Sequence, residues 1–373
     1  MAIISGGGRR VLHKVKPYVA MIVLQLGYAG MYVVSLATLK NGMNQYVLVV
    51  YRNVAAAAVI APLALWFERK GRPRLTPLIF VKILALAVLE PVLEQNFYYM
   101  GGKMTSASFA STLENIIPAI TYLMALVLRA EKLNIRRRRG QAKAIGTLVT
   151  VAGVIEMVLY KGPVVEFFWY SMGGAHNGDN IAASNGHRSA GRSRWLKGTL
   201  MIIGSSSWWS AFLILQANTL KSYPAELTLT VLICSMGAVM GAAVELVVER
   251  GSAAPWVIGW DNRLLAPVYS GVVCSGFSYF MQGIVMKERG PVFVSAFSPL
   301  CMIMTALMGS FILSEKITLG MLIGAVIIAS GLYSLLWGNC QDQEISSQSE
   351  AHDSVKISTD QGSRVDDIFT AQL

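Results

Sequence analysis

Residues 17–38 read PYVAMIVLQLGYAGMYVVSLAT, a stretch without a single charged side chain. A helix needs about 20 mostly apolar residues to cross a bilayer. Inside hydrocarbon every backbone amide needs an internal hydrogen-bond partner, so this stretch is predicted to be a transmembrane helix. Comparable runs recur along the 373-residue chain and predict about ten spans: residues 17–38, 46–67, 78–100, 106–128, 140–160, 196–220, 225–248, 264–286, 292–313 and 318–337.

The composition agrees with a chain that lies mostly in lipid. It is 54% hydrophobic and 14% charged, whereas soluble proteins carry about 25% charged residues. The first apolar run is too long for the core of a secretory signal peptide, so no cleavable signal is expected. The predicted fold class is therefore an all-α polytopic membrane protein.

Basic residues cluster at the ends of the predicted spans and give the chain its net charge of +11. The clusters within residues 9–16, 69–74 and 129–143 fall on one side of the membrane if the spans alternate in direction. By the positive-inside rule this side is the cytoplasm. Both termini are then cytoplasmic, and the basic clusters face lipid headgroups rather than nucleic acid.

The chain repeats itself at an offset of 181 residues. FER at 67–69 corresponds to VER at 248–250, YYM at 98–100 corresponds to YFM at 279–281, and Pro118 corresponds to Pro299. Each half has five spans, an odd number, so the second half is expected to be inverted. Inverted repeats are typical of transporters, with the solute site near the midplane.

The repeat divides the chain into five expected regions. Residues 17–160 and 196–338 are the two five-helix repeats. Residues 161–195 form a non-cytoplasmic linker rich in Gly, Asn and Ser. Residues 1–16 are a cytoplasmic N-terminus, and the polar residues 339–373 form a disordered cytoplasmic tail.

The motifs resemble those of the plant EamA-like drug/metabolite transporters of the nodulin type, also known as walls-are-thin-related proteins. The resemblance covers most of the chain and implies a ten-helix carrier with two EamA repeats, in the plasma membrane or the tonoplast. The family includes the UMAMIT amino-acid facilitators and carriers linked to auxin. The matching motifs are KPY at 16–18, QLGYAG at 25–30, YVL at 46–48, YR at 51–52, EP at 90–91, QN at 95–96, YY at 98–99, TSA at 105–107, NIIPA at 115–119, GPVFV at 290–294, FSPL at 297–300, GLY at 331–333 and LWG at 336–338.

Acidic residues inside the predicted spans are the first candidates for a binding site, because a charge in a bilayer costs a few kcal/mol and usually faces a cavity or a partner. Glu90 and Glu94 are four residues apart and share one face of the third helix. Gln95 and Asn96 stand beside them. The second repeat has no matching acids.

Glu114 and Asn115 lie in the middle of the fourth span. Pro118 lacks a backbone donor and displaces the carbonyl of Glu114. This turn is expected to present a carboxylate, an amide and a loosened carbonyl to the solute. Pro118 and Pro299 are expected to act as equivalent hinges.

The acids also have a structural interpretation, in which they pair with Arg52, Lys82 or a hydroxyl of another helix. Glu156 and Glu245 lie near span ends, where this interpretation is favoured. The apolar part of a solute would contact a polar and aromatic wall, as is common in ligand cavities. The residues predicted for that wall are Tyr28 and Tyr32 in the first helix, Trp209 and Gln216 in the sixth, and Tyr279 and Gln282 in the eighth.

Enzymatic function is not expected. All four histidines lie outside the predicted spans, no aspartate lies inside one, and no zinc or phosphate-loop spacing occurs. Neither a metal nor another cofactor is therefore predicted. A receptor or scaffold is a remote alternative, because inverted repeats give it no support.

The acids favour a solute with a positive charge. The sequence predicts a bidirectional amino-acid facilitator or exporter that works by alternating access and holds the ammonium group at a glutamate. Auxin (indole-acetic acid) or a related metabolite is the alternative, although its anion would be repelled unless protonated. Proton coupling, the choice of membrane and the oligomeric state stay open.

Overall fold

The computed structural model describes residues 4–69, 73–128, 138–160, 162–163, 185–248, 256, 262–295, 297–312, 317–335 and 337–338. Within these residues, every regular element is helical, and ten helical segments follow the order of the ten predicted spans. They are α1 (Ile4–Lys40), α2 (Gln45–Phe67), α3 (residues 77–104), α4 (Ala107–Val127), α5 (Arg138–Leu159), α6 (Asn185–Ser222), α7 (Glu226–Val248), α8 (residues 262–289), α9 (Pro291–Ser295 and then Ser298–Ile312) and α10 (Leu319–Leu335).

Local sequence explains where several helices begin. The Asn44 side chain accepts a hydrogen bond from the Tyr46 backbone N–H at 2.9 Å, and Ser106 accepts one from Phe109 at 3.2 Å. Such caps satisfy backbone donors that have no partner within the first turn. Both α2 and α4 therefore begin directly after the short loops that precede them.

Four helices contain irregular stretches, in corresponding pairs. Helix α3 contains a π-helical stretch at Val88–Glu94, and α8 contains one at Ser270–Ser278. Helix α4 contains a 3₁₀ turn at Glu114–Ile116, and in α9 Phe297 lies in a turn between the helical ranges Pro291–Ser295 and Ser298–Ile312. When 181 is added to its residue numbers, each irregular stretch of the first half overlaps an irregular stretch of the second half.

Among the described residues, eight helices are long and apolar enough to cross a membrane. The others are α3, which carries Lys82, Glu90 and Glu94, and the shorter α10. Large apolar side chains such as Trp66 and Val127, each 82% exposed, form the outer surface. A lipid-facing surface accounts for this exposure, and the predicted all-α polytopic membrane fold is confirmed.

The last helices of the two halves, α5 and α10, pack antiparallel through glycines. A Cβ atom on Gly146 would meet the carbonyl of Gly331, and one on Gly331 would meet the carbonyl of Gly146. A Cβ on Gly324 would likewise meet the carbonyl of Gly153. Late in each half the offset of the repeat decreases to 178 residues, which aligns Gly146 with Gly324 and Gly153 with Gly331. The contacts are therefore reciprocal, as an inverted repeat requires.

Helices of the two halves also pack on each other around the centre of the bundle. Helix α1 packs on α8 and α9 of the second half, and α6 packs on α3 and α4 of the first. Helix α2 packs along its counterpart α7. The irregular stretches of α3, α4, α8 and α9 therefore surround one central region.

Candidate functional site

A cavity lies in this central region, between helices of both halves. The volume of the cavity that is accessible to the centre of a water molecule is about 60 Å³. One water needs roughly 10–15 Å³ on this measure, so the cavity holds a handful of waters in this conformation. The side chains that line it are Gln25, Tyr28, Met31, Tyr32, Arg52, Glu94, Ser111, Glu114, Ile117, Trp209, Gln282, Val294, Ser295, Ser298 and Cys301.

Two carboxylates, Glu94 and Glu114, belong to the cavity wall. Ser205 of α6 donates a hydrogen bond to Glu94 Oε1 at 3.2 Å, and the Tyr32 hydroxyl lies next to the Glu114 carboxylate. Both acids are at least 90% buried. No basic side chain in the described part of the chain forms an ion pair with either. A buried carboxylate is unfavourable without a compensating charge, and the basic side chain on the same wall is that of Arg52.

The turn that holds Glu114 is built by the following proline. Pro118 cannot donate to the Glu114 carbonyl, and the Ile117 N–H donates to it instead, in a 3₁₀ pattern. The carbonyl expected to be loosened therefore has a partner. Of the three groups expected at this turn (carboxylate, amide and loosened carbonyl), only the Glu114 carboxylate belongs to the cavity wall.

Glu90 is fully buried but does not line the cavity. Its Oε1 atom accepts a hydrogen bond from Gln95 Nε2 at 2.6 Å and lies 3.9 Å from Nη2 of Arg52. Gln95 follows Glu90 by five residues, the spacing that stacks side chains in a π-helix. Glu90 and Glu94 thus have different neighbours, although α-helical spacing predicts a shared face.

Two other predicted polar residues bond to the backbone of their own helices. Asn96 donates to the Val92 carbonyl at 2.7 Å. Asn115 donates to the carbonyls of Ser111 and Thr112, at 3.2 and 2.8 Å. Neither side chain lines the cavity, and each leaves its Oδ1 atom buried without a hydrogen-bond partner.

Arg52 lines the cavity, whereas the sequence predicted it only as a structural partner for the acids. It lies in α2 and is 4% exposed. Its Nε atom donates to the Ser275 hydroxyl at 2.7 Å, and Nη1 donates to the Tyr99 hydroxyl at 3.2 Å. The signal for it was present, since an arginine inside an apolar span is by default a functional candidate.

The predicted aromatic wall is assembled from three helices. The Tyr28 ring lies 6.5 Å from that of Tyr32 and 6.3 Å from that of Trp209. Tyr279 is buried behind them, with its ring 6.4 Å from that of Trp209 and 5.6 Å from that of Phe212. Tyr28, Tyr32 and Trp209 face the cavity, and Tyr279 supports them.

The two glutamines predicted in the second half bond to each other. Gln282 Nε2 of α8 donates to Gln216 Oε1 of α6 at 3.1 Å. Gln282 lines the cavity and Gln216 lies behind it. Helix α9 adds Ser295, Ser298 and Cys301, which the sequence analysis did not select, although the repeat aligns Ser295 with Glu114.

The cavity thus combines one guanidinium, two carboxylates and an aromatic wall. These groups can bind a small solute that carries both charges and an apolar part. The two prolines, Pro118 and Pro299, lie where α4 and α9 depart from regular α-helix. Glu156 and Glu245 do not line the cavity.

Comparison with known proteins gives consistent matches. The EamA-like transporter family matches the chain twice, over residues 15–159 and 196–337. A WAT1-related protein of Arabidopsis thaliana is 50% identical over 342 residues, which cover 91% of this chain and 87% of the relative. A second one is 50% identical over 345 residues, covering 92% and 88%.

A solved crystal structure shares the fold at lower sequence identity. It aligns with a TM-score of 0.56 at 16% identity, covering 85% of this chain and 98% of the other. At this identity the similarity concerns the arrangement of the helices alone. The two family matches and the shared fold cover the helices that surround the cavity.

Proposed function

The chain belongs to the EamA-like transporter family, in its plant WAT1-related group, and on that premise we propose that it is a bidirectional amino-acid carrier. It is a membrane solute transporter. Within that class, the proposal is that an amino acid binds in the central cavity and crosses by alternating access between the two halves, by facilitated or ion-coupled transport.

The observation that carries the proposal is the pair of carboxylates, Glu94 and Glu114, on the cavity wall. Neither has a cation partner among the described side chains, so the ammonium group of an amino acid would supply the missing charge. The rings of Tyr28, Tyr32 and Trp209 would contact its apolar side chain. Ligand cavities of this kind combine an apolar wall with a few convergent polar groups.

Alternating access is supported by the position of the cavity between the halves. The 3₁₀ turn of α4 and the interruption of α9 lie beside it, next to Pro118 and Pro299. Such irregular points are where helices bend with the least loss of hydrogen bonding. We propose residues 17–160 and 196–338 as the two moving repeats, with both termini in the cytoplasm and the carrier in the plasma membrane.

Auxin or a related aromatic acid is the second candidate, and Arg52 on the cavity wall favours it. A guanidinium would pair with the carboxylate, and Trp209 and Tyr28 would contact an indole ring. The same anion would stand near Glu94 and Glu114, whose charges repel it. The amino acid remains the better match, because it has a group for each charge.

The test compares Glu114→Gln with Glu245→Gln in membrane vesicles that contain the full chain. Both residues are buried glutamates in spans, but Glu245 does not line the cavity. A charged hydrogen bond contributes about 1.5–3 kcal/mol. Glu114→Gln should therefore raise the KM for leucine at least ~10-fold, while Glu245→Gln leaves it within about twofold.

Glutamine keeps the size of glutamate and removes a buried charge, so folded protein should not decrease in Glu114→Gln. Uptake of indole-acetic acid is measured beside that of leucine. Unchanged leucine uptake in folded Glu114→Gln would refute the ammonium contact. Uptake of indole-acetic acid but not leucine by the wild type would favour the second candidate.

A further inference from the structure

Arg52 occupies the point where the two π-helical stretches meet. Glu90 of the α3 stretch and Ser275 of the α8 stretch both contact its guanidinium, at 3.9 and 2.7 Å. A Cβ on Gly271 of α8 would collide with the Arg52 backbone carbonyl, so α8 packs directly on this residue. Arg52 is therefore held in place by both halves.

The contacts of Arg52 leave part of its donor set unused. A guanidinium has five N–H groups. Nε and Nη1 bond to Ser275 and Tyr99, while the Glu90 carboxylate is 3.9 Å from Nη2, longer than a charge-assisted hydrogen bond. The side chain nevertheless belongs to the cavity wall. It thus offers N–H donors toward a molecule in the cavity.

Stability of the fold does not account for this buried pair. Replacing a buried ion pair by apolar residues of similar volume is often neutral or stabilising. The repeat shows such a replacement, because the counterpart of Arg52 in the second half is Ile233, which is fully buried. The positive charge is therefore specific to one side of the cavity.

We propose that Arg52 binds the carboxylate of the transported amino acid and that Glu90 is its counter-ion when the cavity is empty. The inference rests on the proposed function and adds the substrate class: zwitterions with a free carboxylate. The planar guanidinium matches a carboxylate with two parallel hydrogen bonds. The ammonium group then faces Glu94 or Glu114, and the substrate neutralises both charged regions of the wall.

The first test uses the wild-type chain in vesicles and labelled leucine. Unlabelled leucine and leucinamide, which keeps the ammonium but lacks the carboxylate, compete for uptake. Leucinamide should compete at least ~10-fold more weakly, the factor that corresponds to ~1.4 kcal/mol. Equal competition by the two would overturn the carboxylate contact while leaving amino-acid transport established. Absence of leucine uptake would overturn the proposed function as well.

The second test uses a double variant that keeps the buried charges balanced, beside a single variant that does not. Arg52→Gln alone would leave Glu90 without its cation, so Arg52→Gln is combined with Glu90→Gln. The double variant should raise the KM for leucine at least ~10-fold and lose the preference for leucine over leucinamide. Glu90→Gln alone keeps the guanidinium and should retain that preference.

The outcomes separate recognition from packing. A double variant that slows leucine and leucinamide equally, with the preference intact, would show that Arg52 only supports the helices. Loss of the preference in Glu90→Gln alone would place recognition elsewhere and refute the proposal. If the double variant yields no folded protein, Arg52→Lys takes its place, because it keeps the charge beside Glu90 but not the planar donor pair; a preference for leucine as strong as in the wild type would then refute the proposal.

Discussion

Trp209 forms part of the apolar wall of the cavity. Its ring lies 5.4 Å from that of Phe212, 6.3 Å from that of Tyr28 and 6.4 Å from that of Tyr279. The neighbouring Trp208 does not line the cavity. At the scale of single residues, Trp209 and Trp208 offer a matched comparison that tests the proposed contact with the apolar part of the solute.

Trp209→Ala is expected to impair uptake of large apolar amino acids selectively. Full burial of a leucine side chain contributes about 1.5–3 kcal/mol, and the Trp209 ring would supply part of that contact. The KM for leucine should therefore rise roughly 3- to 10-fold, and that for alanine, which has only a methyl group to bury, less than about twofold. Equal effects on leucine and alanine, or the same selectivity in Trp208→Ala, would contradict a side-chain contact at Trp209.

The sequence selected Glu90, Glu94 and Glu114, but it did not show that of these three only Glu94 and Glu114 line the cavity. The rule that residues four apart share a face assumes α-helix, and α3 is π-helical from Val88 to Glu94. The Gln95 side chain is therefore placed to donate a hydrogen bond to Glu90, while Glu94 faces the cavity. Arg52 was visible as a charge within a span, but its position at the junction of two helices depends on packing that no single span encodes.

At the scale of elements, the breaks in α4 and α9 are expected to serve as hinges. Pro299→Ala restores a backbone donor in α9 and should stiffen it. We expect it to lower leucine flux several-fold more than it lowers the amount of folded protein. Pro62→Ala is the control, because Pro62 lies inside α2, is exposed and does not line the cavity.

Measurement of flux per folded protein, with the folded fraction taken from size-exclusion chromatography, separates the two variants. Wild-type flux in folded Pro299→Ala would show that the break in α9 is not needed for transport.

Hydropathy predicted the helices because apolar runs of membrane length are unambiguous. It did not predict the π-helical stretches, since the apolar pattern continues through them and only backbone geometry distinguishes them.

At the scale of the molecule, the repeat in the sequence anticipated how the halves meet. The repeat aligns four glycines in pairs, and they contact one another reciprocally in the fold: Gly146, Gly153, Gly324 and Gly331.

The 161–195 linker lies largely outside the described residues, and α6 begins within it at Asn185. Its predicted non-cytoplasmic side can be tested by labelling a cysteine introduced at Gly178 with an impermeant reagent in intact cells.

Two hydrogen bonds at the end of α2 connect the two halves. Both carboxylate oxygens of Glu68 accept backbone hydrogen bonds from the first turn of α7, at 2.9 Å from Leu227 and 2.7 Å from Thr228. A carboxylate at a helix N-terminus is stabilised by the helix dipole, by about 0.3–1 kcal/mol in exposed positions. Movement of one half against the other would strain or release this contact.

The most direct test of the carrier is counterflow with the purified full chain in liposomes. Vesicles loaded with unlabelled leucine are diluted into labelled leucine, and the label inside is followed with time. A carrier that alternates between two faces should accumulate the label transiently above its equilibrium level. Labelled uptake that never exceeds equilibrium, or that equals uptake by liposomes without protein, would contradict amino-acid transport through the central cavity.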